Sequence, residues 1–412
     1  MPGLGACHVL TDPNEMVKVV RHEGAYPLGA ISTQWPSIHS SKELGFVIAG
    51  DPNNYGDQHD GLWGHGEEWK RLRNFLQTDM FAPAAARGFV PGILEAAELA
   101  SKGAPGSCAE VNNYTARASF DVFNSVMFGE MTESADLATH TSEDNLIFYK
   151  ASMEIMATLM GLMANPMQFL ALKSFNLQTS LFKDLKAALK TVSTISDNKI
   201  DAFIAKSEAG ELDQHQQDSY LAHAIQRQKE TADSEEGVSV QEMKELCMVA
   251  LTAAVDTTSS IINWVLLHLA LNQDVQQTLY EEAVEAGEVT ARRLSTKSAY
   301  PYLNAVIREQ HRLTPSLPVS LIKENSRSEL DVHGITFPKH TKFLLDSYTL
   351  QQLPEYVPNP ERFDPTRWLP DAVAARKGTP AQVLDHFMYR APFSQGRCVC
   401  VLMHAHIWAC LC

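Results

Sequence analysis

Ala391-Pro-Phe-Ser-Gln-Gly-Arg-Cys-Val-Cys400 is a loop sequence near the C-terminus, rich in turn formers, and its reading decides how the other segments are understood. Cys400 reads as a thiolate ligand to a haem iron. A thiolate is a soft anionic donor, and opposite an open iron position it pushes electron density towards oxygen and favours O–O cleavage. Such a sulfur needs a short, tight loop that aims N–H groups at it and keeps water away. Gly396 can take the positive φ of the turn, and Phe393 can shield the sulfur. The same segment carries Cys398, His404, His406, Cys410 and Cys412, a cluster that could hold zinc. Its C-x-C and H-x-H spacings are tighter than the usual zinc patterns. Taken alone, the tail leaves haem, zinc and inert cysteines open, and motifs upstream move the balance towards haem.

The chain has 412 residues and a formal net charge of −15, with 45% hydrophobic residues, as in a globular enzyme. That acidity disfavours nucleic acid as a partner, because phosphate binding needs basic patches. Seven cysteines without regular spacing do not make a secreted disulfide scaffold. No uninterrupted apolar run reaches about 18 residues, so no transmembrane anchor is expected, and no signal peptide is recognised.

Residues 7–30 read as a strand at Cys7–Leu10, a turn at Thr11–Pro13 and a short helix ending at His22–Gly24. Residues 31–66 show no clear period and read as a long functional loop that retains Trp35, Phe46, Tyr55 and Trp63. Gly66–Arg73 opens a helix with acids in its first turn and bases after it. Trp69 and Arg73, four apart, share a face, which by itself implies a cation–π pair on a surface helix. Helical spacing returns over Val111–Gly129 and from about 145 to 205. Met153, Met156, Met160, Met163 and Met167 form one stripe there, which reads more readily as core filler than as a binding surface. Residues 206–238 are polar, with a loop at Glu235–Gly237.

Ser239-Val-Gln-Glu242 is a capping box that starts a long apolar helix running through Leu271 and ending at Asn272, roughly 45 Å long and apolar on most faces. Inside it sits Ala253-Ala-Val-Asp-Thr-Thr258. An acid beside a hydroxyl is costly in a core, so Asp256 and Thr257 there ask for a functional reason. Pro301–Arg312 is a further helix, with Glu309 and Arg312 spaced to pair. Asp331–Leu345 reads as a hairpin turning at Gly334, and Pro358–Trp368 as an irregular meander.

Phe393-x-x-Gly396-x-x-x-Cys400 resembles the haem-binding loop of the cytochrome P-450 family, with Cys398 where the family has Arg (Arg397 is adjacent) and Leu402 where it has a second Gly. Ala253–Thr258 is similar to the family's oxygen-activation motif, with Ala254 in place of Gly. Pro301–Glu309 is very like its Glu-x-x-Arg helix, and Pro358–Phe363 like its Pro-x-Arg-Phe motif. The opening Leu-Thr-Asp-Pro and His-Glu-Gly-x-Tyr-Pro segments look most like mitochondrial-type members. The resemblance implies a mainly helical, triangular single domain over residues 1–412, incomplete at both ends, with a small β region and the long helix over haem b (iron protoporphyrin IX). It implies Cys400 as metal ligand; Trp69, Arg73, Ala253, Phe393, Gly396 and Arg397 around the haem; and Asp256 and Thr257 as proton relay. A structural cluster of Glu309, Arg312 and Arg362 is implied as well.

The activity implied is monooxygenation of a small apolar substrate such as a sterol or other lipid. Segments 31–66, 246–257 and 314–322 would line its pocket. O2 and a ferredoxin-type or flavoprotein electron donor are the partners, with Arg308 in one ferredoxin-docking position and Asn304 standing where a second basic residue, Lys, is common. The location implied is the matrix side of the mitochondrial inner membrane, with peripheral membrane contact. Two alternatives stay open: a haem-thiolate isomerase or dehydratase, which the Asp256–Thr257 pair argues against, and an inactive haem-binding relative, which Cys398 and Leu402 favour.

Overall fold

The computed structural model describes residues 7–27, 31–50, 61–63, 66–81, 83–103, 110–135, 142–287, 289–290, 293, 299–315, 322–390 and 396. They fall into two compact units. Residues 31–259 make the first; residues 7–27, 260–390 and Gly396 belong to the second.

The first unit is helical: α2 (Ile31–Glu43), α3 (Glu67–Phe81), α4 (Pro83–Lys102), α5 (Val111–Phe128), α6 (Glu143–Ala164), α7 (Pro166–Phe175), α8 (Ser180–Ala209), α9 (Gln214–Gln217), α10 (Tyr220–Thr231) and the first twenty residues of α11 (Val240–Leu271). Its core gathers Phe120, Phe123 and Val126 of α5, Phe148 of α6, Leu185 and Val192 of α8, and Leu221 of α10. Gly129 stops α5 with a left-handed φ of 65°. The capping box of α11 is formed: Glu242 N–H donates to Ser239 Oγ at 3.1 Å, and Ser239 N–H to Glu242 Oε2 at 2.7 Å.

The stretch read as a loop from residue 31 begins instead with α2. Ser, Thr and His are weak helix formers, so no period shows. Packing supplies the helix: Trp35 lies edge-on to Phe169 of α7 at 6.0 Å, and His39 stacks on Phe182 of α8 at 5.6 Å. The methionine stripe of α6 and α7 does not fill the core either. Met160 and Met167 are exposed, and Met153, Met156 and Met163 are half-buried. The buried face of α6 is Phe148, Ser152, Ile155, Leu159 and Leu162.

By length and hydropathy α6 and α11 could each cross a membrane, although neither has the unbroken apolar run by which an anchor was sought. The apolar stretch of α11 is 61% buried, as in a core helix.

The second unit holds β1 (His8–Leu10), α1 (Pro13–His22), the remainder of α11, α12 (Gln273–Ala286), α13 (Pro301–Leu313), β2 (Ile322–Glu324), β3 (Leu330–Val332), β4 (Ile335–Phe337), β5 (Lys342–Leu345) and α14 (Pro370–Ala375). Asp12 caps α1 by accepting from Asn14 N–H at 2.8 Å. β5 pairs in parallel with β1 and antiparallel with β2. The hairpin at Gly334 joins β3 to β4 alone, so the strand after Pro338 belongs to the other sheet. Leu10, Met16, Val19, Leu330, Val332, Phe343 and Leu345 close one core beneath them. Residues 353–364 run as turns and bends, the meander expected from their Pro and Asn content. The carboxylate of Glu282 on α12 accepts from Tyr302 N–H at 2.6 Å and Leu303 N–H at 2.8 Å, capping α13 from outside.

Candidate active site

In the first unit, α3 is fixed against the start of α11 by Arg71. Its guanidinium donates to Gly237 O at 2.7 Å and to Glu242 Oε1 at 2.5 Å. Two residues before it Trp69 is buried, and two after it the guanidinium of Arg73 lies 5.6 Å from the Trp69 ring centroid. The cation–π pair implied by the spacing therefore exists, with the Trp69 ring on the same buried face of α3 as Leu72 and Leu76.

From Met243 to Ile261 α11 is buried on almost every side. The departures from that rule fall at positions 249, 253, 256, 257 and 260, which recur at helical spacing and form one stripe. Ala253 is exposed, and Val249, Asp256 and Thr257 are half-buried, while Ala254, Val255 and Thr258 beside them are covered. Thr257 Oγ donates to the carbonyl of Ala253 at 3.0 Å, one turn back, so its lone pairs face outward. Burial raises the Asp256 carboxyl above the usual aspartate range.

In the second unit Glu309 and Arg312 of α13 are fully buried and joined twice, Nε to Oε2 at 2.9 Å and Nη2 to Oε1 at 2.8 Å. Glu309 also accepts from Asp364 N–H at 3.0 Å, Arg367 Nε at 3.3 Å and Trp368 Nε1 at 2.7 Å. Arg312 donates onward to the carbonyls of Gln351 at 3.0 Å and Arg362 at 3.2 Å. This corrects the expected cluster: Arg362 enters through its carbonyl, and its side chain is exposed. The second guanidinium on Glu309 is that of Arg367, which with Trp368 escaped the sequence reading. Their signal was available, since Thr-Arg-Trp follows directly on the meander that Arg312 grips.

Arg308 is turned inward as well. Its guanidinium lies 3.8 Å from the Trp368 ring centroid and donates to Leu384 O at 3.1 Å, and burial brings its pKa down to about 10. Asn304 donates to Tyr300 O at 2.7 Å. Neither is displayed as a free group for a docking partner.

Of the Cys400 loop the structure describes Gly396, whose φ of 84° is the left-handed turn the loop sequence asks for. Phe393, Arg397, Cys398 and Cys400 lie outside the described residues.

A model of the cytochrome P450 family matches residues 50–401. The chain belongs to that family. Its curated P450 relatives include the mitochondrial sterol 26-hydroxylases of Rattus norvegicus, 25% identical over 85% of this chain and 63% of the relative, and of Homo sapiens, 26% identical over 93% and 68%. The mitochondrial cholesterol side-chain cleavage enzyme of Capra hircus is 23% identical over 87% and 65%. The chain thus spans about two-thirds of the length of these P450s. Membership in the P450 family implies haem, and the residues present fit it. In the mostly buried stretch Met243–Ile261 of α11, Ala253 is exposed with Asp256 and Thr257 half-buried beside it, a surface that an apolar cofactor could cover.

Proposed function

We propose that this P450 chain is a haem-thiolate monooxygenase. It places one oxygen atom of O2 in an apolar C–H bond of a sterol or other lipid, using electrons from a ferredoxin-type or flavoprotein donor in the mitochondrion. The observation that carries the reading is the stripe of exposed Ala253 and half-buried Asp256 and Thr257 in the mostly buried stretch Met243–Ile261 of α11. Sterols and mitochondria stand in the names of the relatives cited above. In the proposal Cys400 ligates the iron, and Trp69, Arg73 and Arg397 hold the haem edge. Bound haem supplies reductive cleavage of O2, chemistry that side chains lack.

The chain's own residues supply position and protons. Thr257 Oγ spends its proton on Ala253 O and so is an acceptor that can hold an ordered water over the stripe. Asp256, its pKa raised by burial, keeps a proton at a pH where an ordinary aspartate has lost it, and can pass it on. The exposed Met167 and Phe175 suit the apolar surface of a membrane.

The absorption spectrum of the purified protein, reduced under carbon monoxide, tests the assignment. A thiolate signature supports it; bound zinc without haem overturns it. For mechanism, Thr257→Ala is expected to take up haem normally and to consume reductant. Product per reductant should fall about tenfold, less than the ~10²–10⁴-fold that a placed proton donor contributes because Asp256 remains, the electrons going to hydrogen peroxide. Thr258→Ala should couple better, because its side chain is buried ~100° round the helix. Unchanged coupling in Thr257→Ala would leave the pair a shaping feature of the helix and raise the isomerase reading.

A further inference from the structure

Glu23 caps the C-terminal end of α1, and its side chain is only 2% exposed. Its Oε1 lies 2.5 Å from Nζ of Lys323 on β2, an ammonium buried to the same degree. Ser326 Oγ donates to the Glu23 carbonyl at 3.2 Å and ties the same two segments together. On the other side of the carboxylate is Gly396. A Cβ built on Gly396 would collide with Glu23 Oε2 and with Cγ1 of Val20. Three segments distant in sequence therefore meet at one buried ion pair: the end of α1, strand β2 and the loop that continues to Cys400.

Stability alone does not account for this arrangement. Desolvating a carboxylate and an ammonium costs several kcal/mol per ion, and apolar residues of similar volume often hold such a place as well or better. What the charged pair touches is the turn of the loop, four residues before Cys400. We infer that Glu23 and Lys323 are positioning residues for the Cys400 loop. The carboxylate is the stop on which the bare Cα of Gly396 rests, and Lys323 holds that carboxylate in place and balances its charge. The inference rests on the haem-thiolate reading. Neither residue touches reacting atoms; the pair sets where the Gly396 turn sits and places fixed charges beside it, and loop position and nearby charge are two determinants of thiolate donor strength.

The experiment uses full-length, haem-loaded protein and reads the carbon monoxide signature, haem release, reduction potential and thermal stability. Glu23→Gln leaves an unbalanced positive charge and is expected to raise the potential; Lys323→Met leaves a negative one and is expected to lower it. Glu23→Asp keeps the charge but withdraws the carboxylate by one methylene from Gly396. It should leave the potential near wild type while haem release rises about tenfold, the low end of what a lost outer-shell partner costs a metal site. Should a single substitution not fold, the double variant Glu23→Gln/Lys323→Met restores charge balance with neutral groups, and together with Glu23→Asp it carries the test. Wild-type signature, release and potential in every folded variant, with only the melting temperature altered, would reduce the pair to a structural contact and overturn the inference. A wild-type protein that itself lacks the thiolate signature points instead to failure of the functional reading.

Discussion

Glu309→Ala yields no stable, haem-loaded protein. The Glu309 carboxylate accepts five hydrogen bonds in a site without solvent: two from Arg312 and one each from Arg367 Nε, Asp364 N–H and Trp368 Nε1. Removing it leaves the fully buried Arg312 guanidinium beside that of Arg367 with no anion between them. Breaking one partner of a buried pair costs about 3–5 kcal/mol. Each of the two orphaned N–H donors adds about 1–3 kcal/mol. The sum rivals the ~5–15 kcal/mol that stabilises a whole domain. The measurements are soluble yield, haem per chain and thermal melting, and normal values in all three would mean that the site is wetter than its burial indicates.

The same geometry separates two arginines five residues apart. Arg362→Ala should be mild, within about 0.5 kcal/mol, because Arg312 uses only the backbone carbonyl at that position. Arg367→Ala should be clearly harsher, because it removes Nε from Glu309 and two further donations, to the carbonyls of Pro358 at 2.7 Å and Asn359 at 2.9 Å. Equal melting temperatures for the two variants would contradict the placement.

These arginines also show where sequence reading stops. The Glu309–Arg312 contact was legible, because three residues along a helix is a fixed geometry. The capping box of α11 was legible for the same reason. The meander has no period, and nothing local says which of Arg362 and Arg367 turns inward; Trp368 and the Asp364 amide decide it from a distance. On α6 the periodicity was real but ambiguous. The helix carries two apolar faces, and burial chose the one with Phe148 and Ile155 over the methionines because rings and branched side chains of neighbouring helices pack there. Helix α2 had no signal in its own residues, since its helicity is imposed by α7 and α8. Of the candidate site, the Asp256–Thr257 position was readable from the cost of placing polar groups mid-helix, whereas the Glu23–Lys323 pair joins residues 300 apart and no spacing rule could join them.

Cys400→Ala is expected to abolish the thiolate signature of the reduced carbon monoxide complex, and Cys398→Ala to leave it intact. The two cysteines are separated by one residue, so their Cα atoms lie at most ~7 Å apart. A shift of that size cannot be absorbed without moving the loop. Gly396 is the fixed point from which the ligand is reached: its left-handed turn is set, and it is packed against Val20 and Glu23. Four residues on from that turn stands Cys400; Cys398 stands only two on. Cys400→Ala removes the proposed anionic donor, so residual haem should give the spectrum of a neutral or absent axial ligand and be released faster. The reversed outcome, with the signature lost in Cys398→Ala and kept in Cys400→Ala, would move the ligand by two residues. Loss of the signature in both would make Cys398 a second requirement of the loop, and retention in both would take the iron ligand out of this loop altogether.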